Sequence, residues 1–208
     1  VRTKNLPYSM EDIKRVTTQC RECASVKPRF YRPPNVALIK ATQPFERISV
    51  DFKGPLPSST SNRYILTIVD EYSRFPFAFP TKNLHSSTVI ECLHSLFAVF
   101  GAPAYVHSDR GQSFMSQELQ QYLRGNGIAT SRTTPYNPTG NGQVERYNGI
   151  VWRTVLLALK SQNLDVKNWE TVLPAVLHSI RSLLSTATNV TPHERFLRHT
   201  RRSMYGAS

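Results

Sequence analysis

Apolar and polar positions alternate along the chain in two periods, and the change of period marks its elements. Phe45 to Lys53 reads as a strand, closed by Gly54-Pro55 and Pro57. Arg63 to Glu71 reads as a second strand around the β-rich run Tyr64-Ile65-Leu66-Thr67-Ile68-Val69, and Phe75 to Pro80 as a third. The turns between them are short, which predicts an antiparallel meander. Ser86 to Phe100 is a predicted helix with Val89, Leu93, Leu96, Phe97 and Phe100 on one face. Thr88 and Glu91 offer it a capping box, and Cys92 fills core within it. Ala104 to Ser108 is a fourth strand, reached through a helix and so parallel to the first. A helix over Ser116 to Gly125 and a fifth strand over Ile128 to Thr133 follow.

Three further stretches keep the helical period. Val144, Tyr147, Val151, Val155 and Leu159 share one face. Asn168 to Ser185 carries Trp169, Val172, Leu173, Val176, Ile180, Leu183 and Leu184 as an apolar stripe, with Pro174 expected to kink it or shift its start. Tyr8 to Cys23 reads as a helix bearing Met10, Ile13, Val16 and Thr17. The stretch Ser25 to Gln43 holds Pro28, Pro33 and Pro34 among basic residues and reads as a semi-extended linker.

A chain of 208 residues holds one domain with a full core and a small appendage. No apolar run approaches the roughly 18–20 residues that span a bilayer, so no membrane partner is expected. Lys and Arg number 26 against 14 acidic residues, a net charge of +12 that points to a polyanion, most simply nucleic acid. Three cysteines give no disulfide framework and suit a reducing compartment. Cys20-Arg21-Glu22-Cys23 supplies two thiolates, half of a tetrahedral zinc site, or a plain pair of free thiols. The start Val1-Arg2-Thr3-Lys4, with no Met and no signal-peptide core, reads as part of a longer polyprotein.

The chemistry gathers around Thr133 to Asn148. This stretch opens as a loop with two prolines and two glycines and ends as the first turns of a helix. Glu145 falls near that helix start, where the macrodipole favours the ionised carboxylate. Asp51 lies in the strand between Val50 and Phe52, an unfavourable place for a carboxylate unless it meets a charge or a metal. Asp109 closes the fourth strand, and 35 residues separate it from Glu145. Taken singly, Asp109 also fits a turn before Gly111, and Glu145 a solvated helix position.

In order and at this spacing, Asp51, His107-Ser108-Asp109-Arg110-Gly111, Tyr136-Asn137-Pro138 and Asn141-Gly142-Gln143-Val144-Glu145-Arg146 resemble the D,D(35)E integrases of retroviruses and long-terminal-repeat retrotransposons, of the Ty3/Gypsy type. The resemblance runs from about Tyr8 to about Arg202 and implies an α/β, ribonuclease H-like, five-stranded mixed sheet flanked by helices. It divides the chain into a truncated remnant of a zinc module (1–24), a basic linker (25–44), a catalytic core (45–202) and a tail (203–208).

The family's chemistry is 3′-end processing and DNA strand transfer with two Mg²⁺ or Mn²⁺ ions. Asp51 would bridge both ions, Asp109 hold one and Glu145 the other. Cys20 and Cys23 would bind Zn²⁺ in the full-length protein. The expected partners are double-stranded DNA, as element ends and target, and further copies of the chain, at least to a dimer. The site of action would be nuclear, with assembly in cytoplasmic particles. Tyr136, Asn137, Asn141 and Asn148 are candidate DNA contacts. Arg146, Arg153 and Lys160 recur every seven residues as a basic stripe that fits a DNA backbone or a solvated face. His107 would orient Asp109, meet nearby backbone or serve structure alone. A nuclease of the same fold and a host-domesticated DNA-binding protein without catalysis are the competing functions. The segment Thr191 to Phe196 resembles the family's short terminal motif, with His193 in place of the usual aromatic.

Overall fold

A computed structural model describes Ser9, Glu11, Asp12, Arg15, Gln19 and residues 41–132, 142–184, 189–199, 202–203 and 206–207. The chain divides into two compact units, Val1–Ile39 and Lys40–Ser208. In the first, Glu11, Asp12, Arg15 and Gln19 are helical. Ser9 N–H and Oγ donate to Asp12 Oδ2 at 3.1 and 2.5 Å, and Asp12 N–H donates back to Ser9 Oγ at 3.0 Å. This reciprocal pair caps the helix start.

The second unit is built on strands β1 (Arg47–Lys53), β2 (Tyr64–Asp70), β3 (Pro76–Thr81), β4 (Tyr105–Ser108) and β5 (Ala129–Arg132). They form one sheet in the order β3-β2-β1-β4-β5. The first three pair antiparallel, and β4 and β5 are parallel to β1 and to each other. Gly54 ends β1 at φ 146°, where a Cβ would lie 2.5 Å from the Tyr64 ring and 2.6 Å from the Arg63 carbonyl. Only glycine fits there.

Helices α1 (Ser86–Phe100), α2 (Gln112–Met115) and α3 (Gln117–Gly125) follow the meander. After β5 come α4 (Gly142–Ser161), a 3₁₀ turn (Val166–Asn168), α5 (Trp169–Ser182) and α6 (Pro192–Leu197). Arg202–Ser203 and Gly206–Ala207 pair as a minimal ribbon. Two apolar clusters hold the unit together. One joins Ile48, Val50, Leu66, Ile68 and Val106 to Val89, Leu93 and Leu96 of α1, Leu119 and Leu123 of α3, and Phe196 of α6. The other joins Ile65 and Leu56 to Val151, Val155 and Leu159 of α4 and to the Trp169 stripe of α5. Helices therefore flank a mixed five-stranded sheet, the ribonuclease H-like arrangement.

Three local expectations are corrected. Thr88 and Glu91 form no capping box, because α1 begins three residues sooner. Asn83 Oδ1 accepts from His85 N–H at 3.0 Å and from Thr88 Oγ at 2.7 Å, and this sets the turn. The helix foreseen over Ser116 to Gly125 is present as α3, with Ser116 Oγ capping it through Leu119 N–H at 3.2 Å, and the short α2 precedes it. Pro174 lies inside α5 and does not shift its start. The stripe of α5 stops at Ile180: Leu183 and Leu184 are 63% and 59% exposed.

Candidate active site

The register of β1 against β4 pairs Val50 with Ser108. The next residue on each strand is an aspartate, so parallel pairing alone brings Asp51 and Asp109 side by side at the carboxyl edge of the sheet. Both line a cleft of about 600 Å³, together with Phe52, His85, Ser86, Gln112, Ser113 and Phe114. Phe52 stacks on Phe114 at 5.5 Å.

Each carboxylate has a distinct setting. Asp109 Oδ1 accepts from Gly111 N–H at 2.8 Å. A Cβ on Gly111 would stand 3.0 Å from that oxygen, so the turn form of Asp109 is present as well. Asp51 Oδ2 accepts from Asn148 Nδ2 at 2.7 Å, across from α4. Burial pushes the Asp51 carboxyl up to about 6; the charge of Asp109 adds to this, the Phe52 amide and Asn148 oppose it, and Glu145 adds a smaller rise. Glu145 itself is exposed in the first turn of α4.

Asp51 thus feels both other carboxylates. Among the described residues, no three His, Cys, Asp or Glu side chains close around a single point. Three like charges at close quarters favour a wider spacing. The donor set still fits a divalent cation of the hard, oxygen-seeking kind: every donor is a carboxylate oxygen, and the ionised form of Asp51 is penalised by burial and by two neighbours. A cation there would relieve all three penalties.

The other sequence-chosen residues divide. Asn148 is buried, 7% exposed, and its amide is committed to Asp51, which removes it from the exposed phosphate contacts. Arg146, Arg153 and Lys160 are exposed along α4, although Arg153 Nε also donates to its own helix at Gly149 O, 3.2 Å away. His107 is buried; its Nδ1 lies 2.8 Å from Ser131 Oγ and 3.3 Å from Arg47 Nη2. Arg47 has no lone pair to offer, so Nδ1 is the acceptor there. Cys20, Cys23, Tyr136, Asn137 and Asn141 lie outside the described residues.

Sequence reasoning missed two features. The Phe52–Phe114 stack gave no signal, since the two rings are distant in sequence. The Asn148–Asp51 bond gave half a signal: a position three residues after Glu145 shares its side of a helix.

Residues 41–138 match the family described as an integrase core domain. The chain is 29% identical over 189 residues to the Pro-Pol polyprotein of simian foamy virus type 3 (strain LK3), which covers 90% of this chain and 16% of the polyprotein. It is 32% identical over 181 residues to the Gag-Pol polyprotein of koala retrovirus, covering 86% of this chain and 10% of that polyprotein. The chain thus spans a small part of the relatives it matches. Among solved structures, a simian T-cell lymphotropic virus intasome in complex with PP2A regulatory subunit B56 gamma aligns with TM-score 0.71 at 24% identity, over 94% of this chain and 69% of that one. The HTLV-2 integrase catalytic core domain in complex with magnesium, in a trimeric form, aligns with TM-score 0.61 at 20% identity, over 76% and 99%. At these identities the structural likeness establishes the fold.

Proposed function

We propose that this chain performs metal-dependent phosphodiester transfer: 3′-end processing of element DNA by water, then joining of the new 3′-hydroxyl to target DNA, a reading supported by the match of residues 41–138 to an integrase core domain. The observation that carries this reading is the meeting of Asp51 and Asp109 in one cleft with the charge of Glu145 reaching Asp51. Asp51, Asp109 and Glu145 would hold the metal, with Asp51 shared between two ions. Two Mg²⁺ or Mn²⁺ ions bound there supply activation of the attacking oxygen and stabilisation of the leaving one. The chain's own part is to hold three oxygen donors on rigid elements, one within β1, one just past the end of β4 and one on α4. Asn148 fixes the Asp51 oxygen that it bonds.

DNA would reach this cleft along the exposed face of α4, where Arg146, Arg153 and Lys160 offer charge at one-heptad intervals. Tyr136, Asn137 and Asn141 precede α4 in the sequence and are proposed contacts for the DNA end. Zn²⁺ on Cys20 and Cys23 is proposed as well, as half of a tetrahedral set. Assembly into at least a dimer, action in the nucleus, cytoplasmic particle assembly, the division at 24, 44 and 202, and the Ty3/Gypsy subtype are proposals of the same kind. The subtype rests on the motif block alone.

The test uses a short duplex bearing a long-terminal-repeat end, with Mg²⁺ or Mn²⁺. Joined products are expected from the chain. Glu145→Gln is expected to lower joining by about 10²-fold or more, as loss of a metal donor costs several kcal/mol. Undiminished joining would remove Glu145 from the mechanism. Cleavage without joining would favour the nuclease, and binding without either the domesticated protein.

Asn148→Leu isolates the supporting residue. It removes the donor to Asp51 while keeping volume, so calorimetric Mg²⁺ affinity should fall about 10–100-fold, the usual cost of losing a partner behind a metal ligand. Unchanged Mg²⁺ affinity would assign Asn148 to packing alone.

A further inference from the structure

Asn148 donates to Asp51 from one end of its amide, and the other end, Oδ1, is buried. Among the described residues Oδ1 has no hydrogen-bond partner. A primary amide is a donor at one end and an acceptor at the other. Turned over, it would set a carbonyl oxygen against the Asp51 carboxylate, lone pair against lone pair. The bond to Asp51 therefore depends on what meets Oδ1.

The sheet supplies a hydroxyl at that place. Thr67 of β2 is the register partner of Asp51 on β1, so the two side chains stand side by side on one face of the sheet. Thr67 is fully buried, and its Oγ1 also has no partner among the described residues. Helix α4 packs on β1 and β2 across this face. Ile65, two positions before Thr67 and on the same side of β2, shares a cluster with Val151 and Val155. Asn148 is three residues before Val151 on the same buried side of α4. The packing that joins Ile65 to α4 thus brings Thr67 to Asn148, as the Asn148 bond to Asp51 requires.

A buried acceptor without a donor and a buried donor without an acceptor each carry a desolvation cost. On neighbouring side chains each answers the other. A small rotation of Thr67 about its Cα–Cβ bond, or one ordered water between the two groups, closes the link; buried waters occupy such positions. Valine has nearly the same shape and the same preference for strands, with no hydroxyl to desolvate. What threonine adds at this position is the hydroxyl.

We propose that Thr67 is a positioning residue for the metal site: its hydroxyl donates to Asn148 Oδ1, directly or through one buried water, and so keeps Nδ2 turned toward Asp51. The relay runs from β2 through α4 to β1, and ties the helix that carries Glu145 to the strand that carries Asp51. It rests on the transfer reading above, since the site it serves is the one named there. Fully buried, Thr67 acts only through Asn148.

The test compares Thr67→Val, which removes the hydroxyl, with Thr67→Ser, which keeps it and removes the methyl. Two quantities are measured on the whole chain: Mg²⁺ affinity by calorimetry, and hydrogen exchange of the Asn148 side-chain amide by NMR without metal. Losing a partner directly behind a metal ligand costs about 10–100-fold in affinity. One bond further out, Thr67→Val should cost roughly 3–10-fold and speed the amide exchange, while Thr67→Ser stays near the parent in both. In an Asn148→Leu background Thr67→Val should cost no further affinity, because the relay is already cut. Thermal melting tracks folding. A role in packing alone would rank the variants the other way, with valine melting at or above the parent, serine below it, and affinity and exchange unmoved. A folded Thr67→Val chain with parental affinity and exchange, or a folded Thr67→Ser chain that matches valine in both, overturns the relay and leaves the transfer reading intact. Should serine not fold, valine alone decides. If the intact chain binds no Mg²⁺, the metal reading fails, and exchange of the Asn148 amide decides the relay.

Discussion

Asp51→Asn should melt at a higher temperature than the parent chain at pH 7.5 and yet join no DNA. The stability half follows from linkage. The Asp51 carboxyl is raised from 3.8 to about 6 in the folded state. A folded pKa above the unfolded one favours folding only while the group is protonated. That contribution is fully present below 3.8 and is lost as pH rises through about 6. At pH 7.5 the ionised carboxylate is therefore a net burden, of order 1–3 kcal/mol after allowance for solvent on its open side. Asparagine removes the charge and keeps an acceptor for Asn148.

The expected gain is a few degrees in Tm, given about 2–4 °C per kcal/mol for a chain of this size. The gain should vanish at pH 4, where the parent carboxyl is largely protonated. The catalytic half runs the other way. A neutral amide is a poor ligand for a hard divalent cation, and losing the donor shared by two ions should cost about 10³-fold or more in joining. Scanning melts at both pH values and the joining assay check the two halves separately. A variant that melts lower at pH 7.5, or equally displaced at both pH values, would show that Asp51 stabilises the fold and would remove the stability argument for a functional carboxylate.

Much of this site was readable in advance because it depends on strand periodicity. The run Tyr64 to Val69 and the placement of Asp51 within the first strand and Asp109 at the end of the fourth follow from alternation and turn residues, and parallel pairing then does the rest. What failed depended on geometry that no local pattern carries. The sequence offers the same cap pattern twice, at Thr88–Glu91 and at Thr191–Glu194. Only the second forms a capping box, with Pro192 in the first helical turn. At the first, Asn83 binds the chain before Thr88 can act. The exposed Leu183 and Leu184 continue a period that the helix does not, since α5 ends at Ser182. The Asn148–Asp51 bond joins residues 97 positions apart, and only the assembled sheet and α4 bring them into contact.

Phe196→Ala is the packing substitution with the largest expected cost. Phe196 is 7% exposed and stacks on Phe75 at 4.6 Å, with Phe100 at 5.3 Å, Phe77 at 5.7 Å and Phe45 at 6.1 Å around it. Truncating a buried Phe typically costs about 3–5 kcal/mol, a large share of the roughly 5–15 kcal/mol that holds a domain. The loss should fall unevenly. Helix α6 has only six residues, too few to persist without its anchor. Undocking of α6 should therefore precede global unfolding, and it carries Arg195 away from the Tyr72 ring. Hydrogen exchange should rise first at Glu194, Arg195 and Arg198, whose amides bond within α6 and its caps. Phe196→Leu, which keeps most of the volume, should cost clearly less. A Phe196→Ala chain that unfolds at the parent's denaturant midpoint, with unchanged exchange in α6, would mean that the aromatic cluster does not anchor this helix.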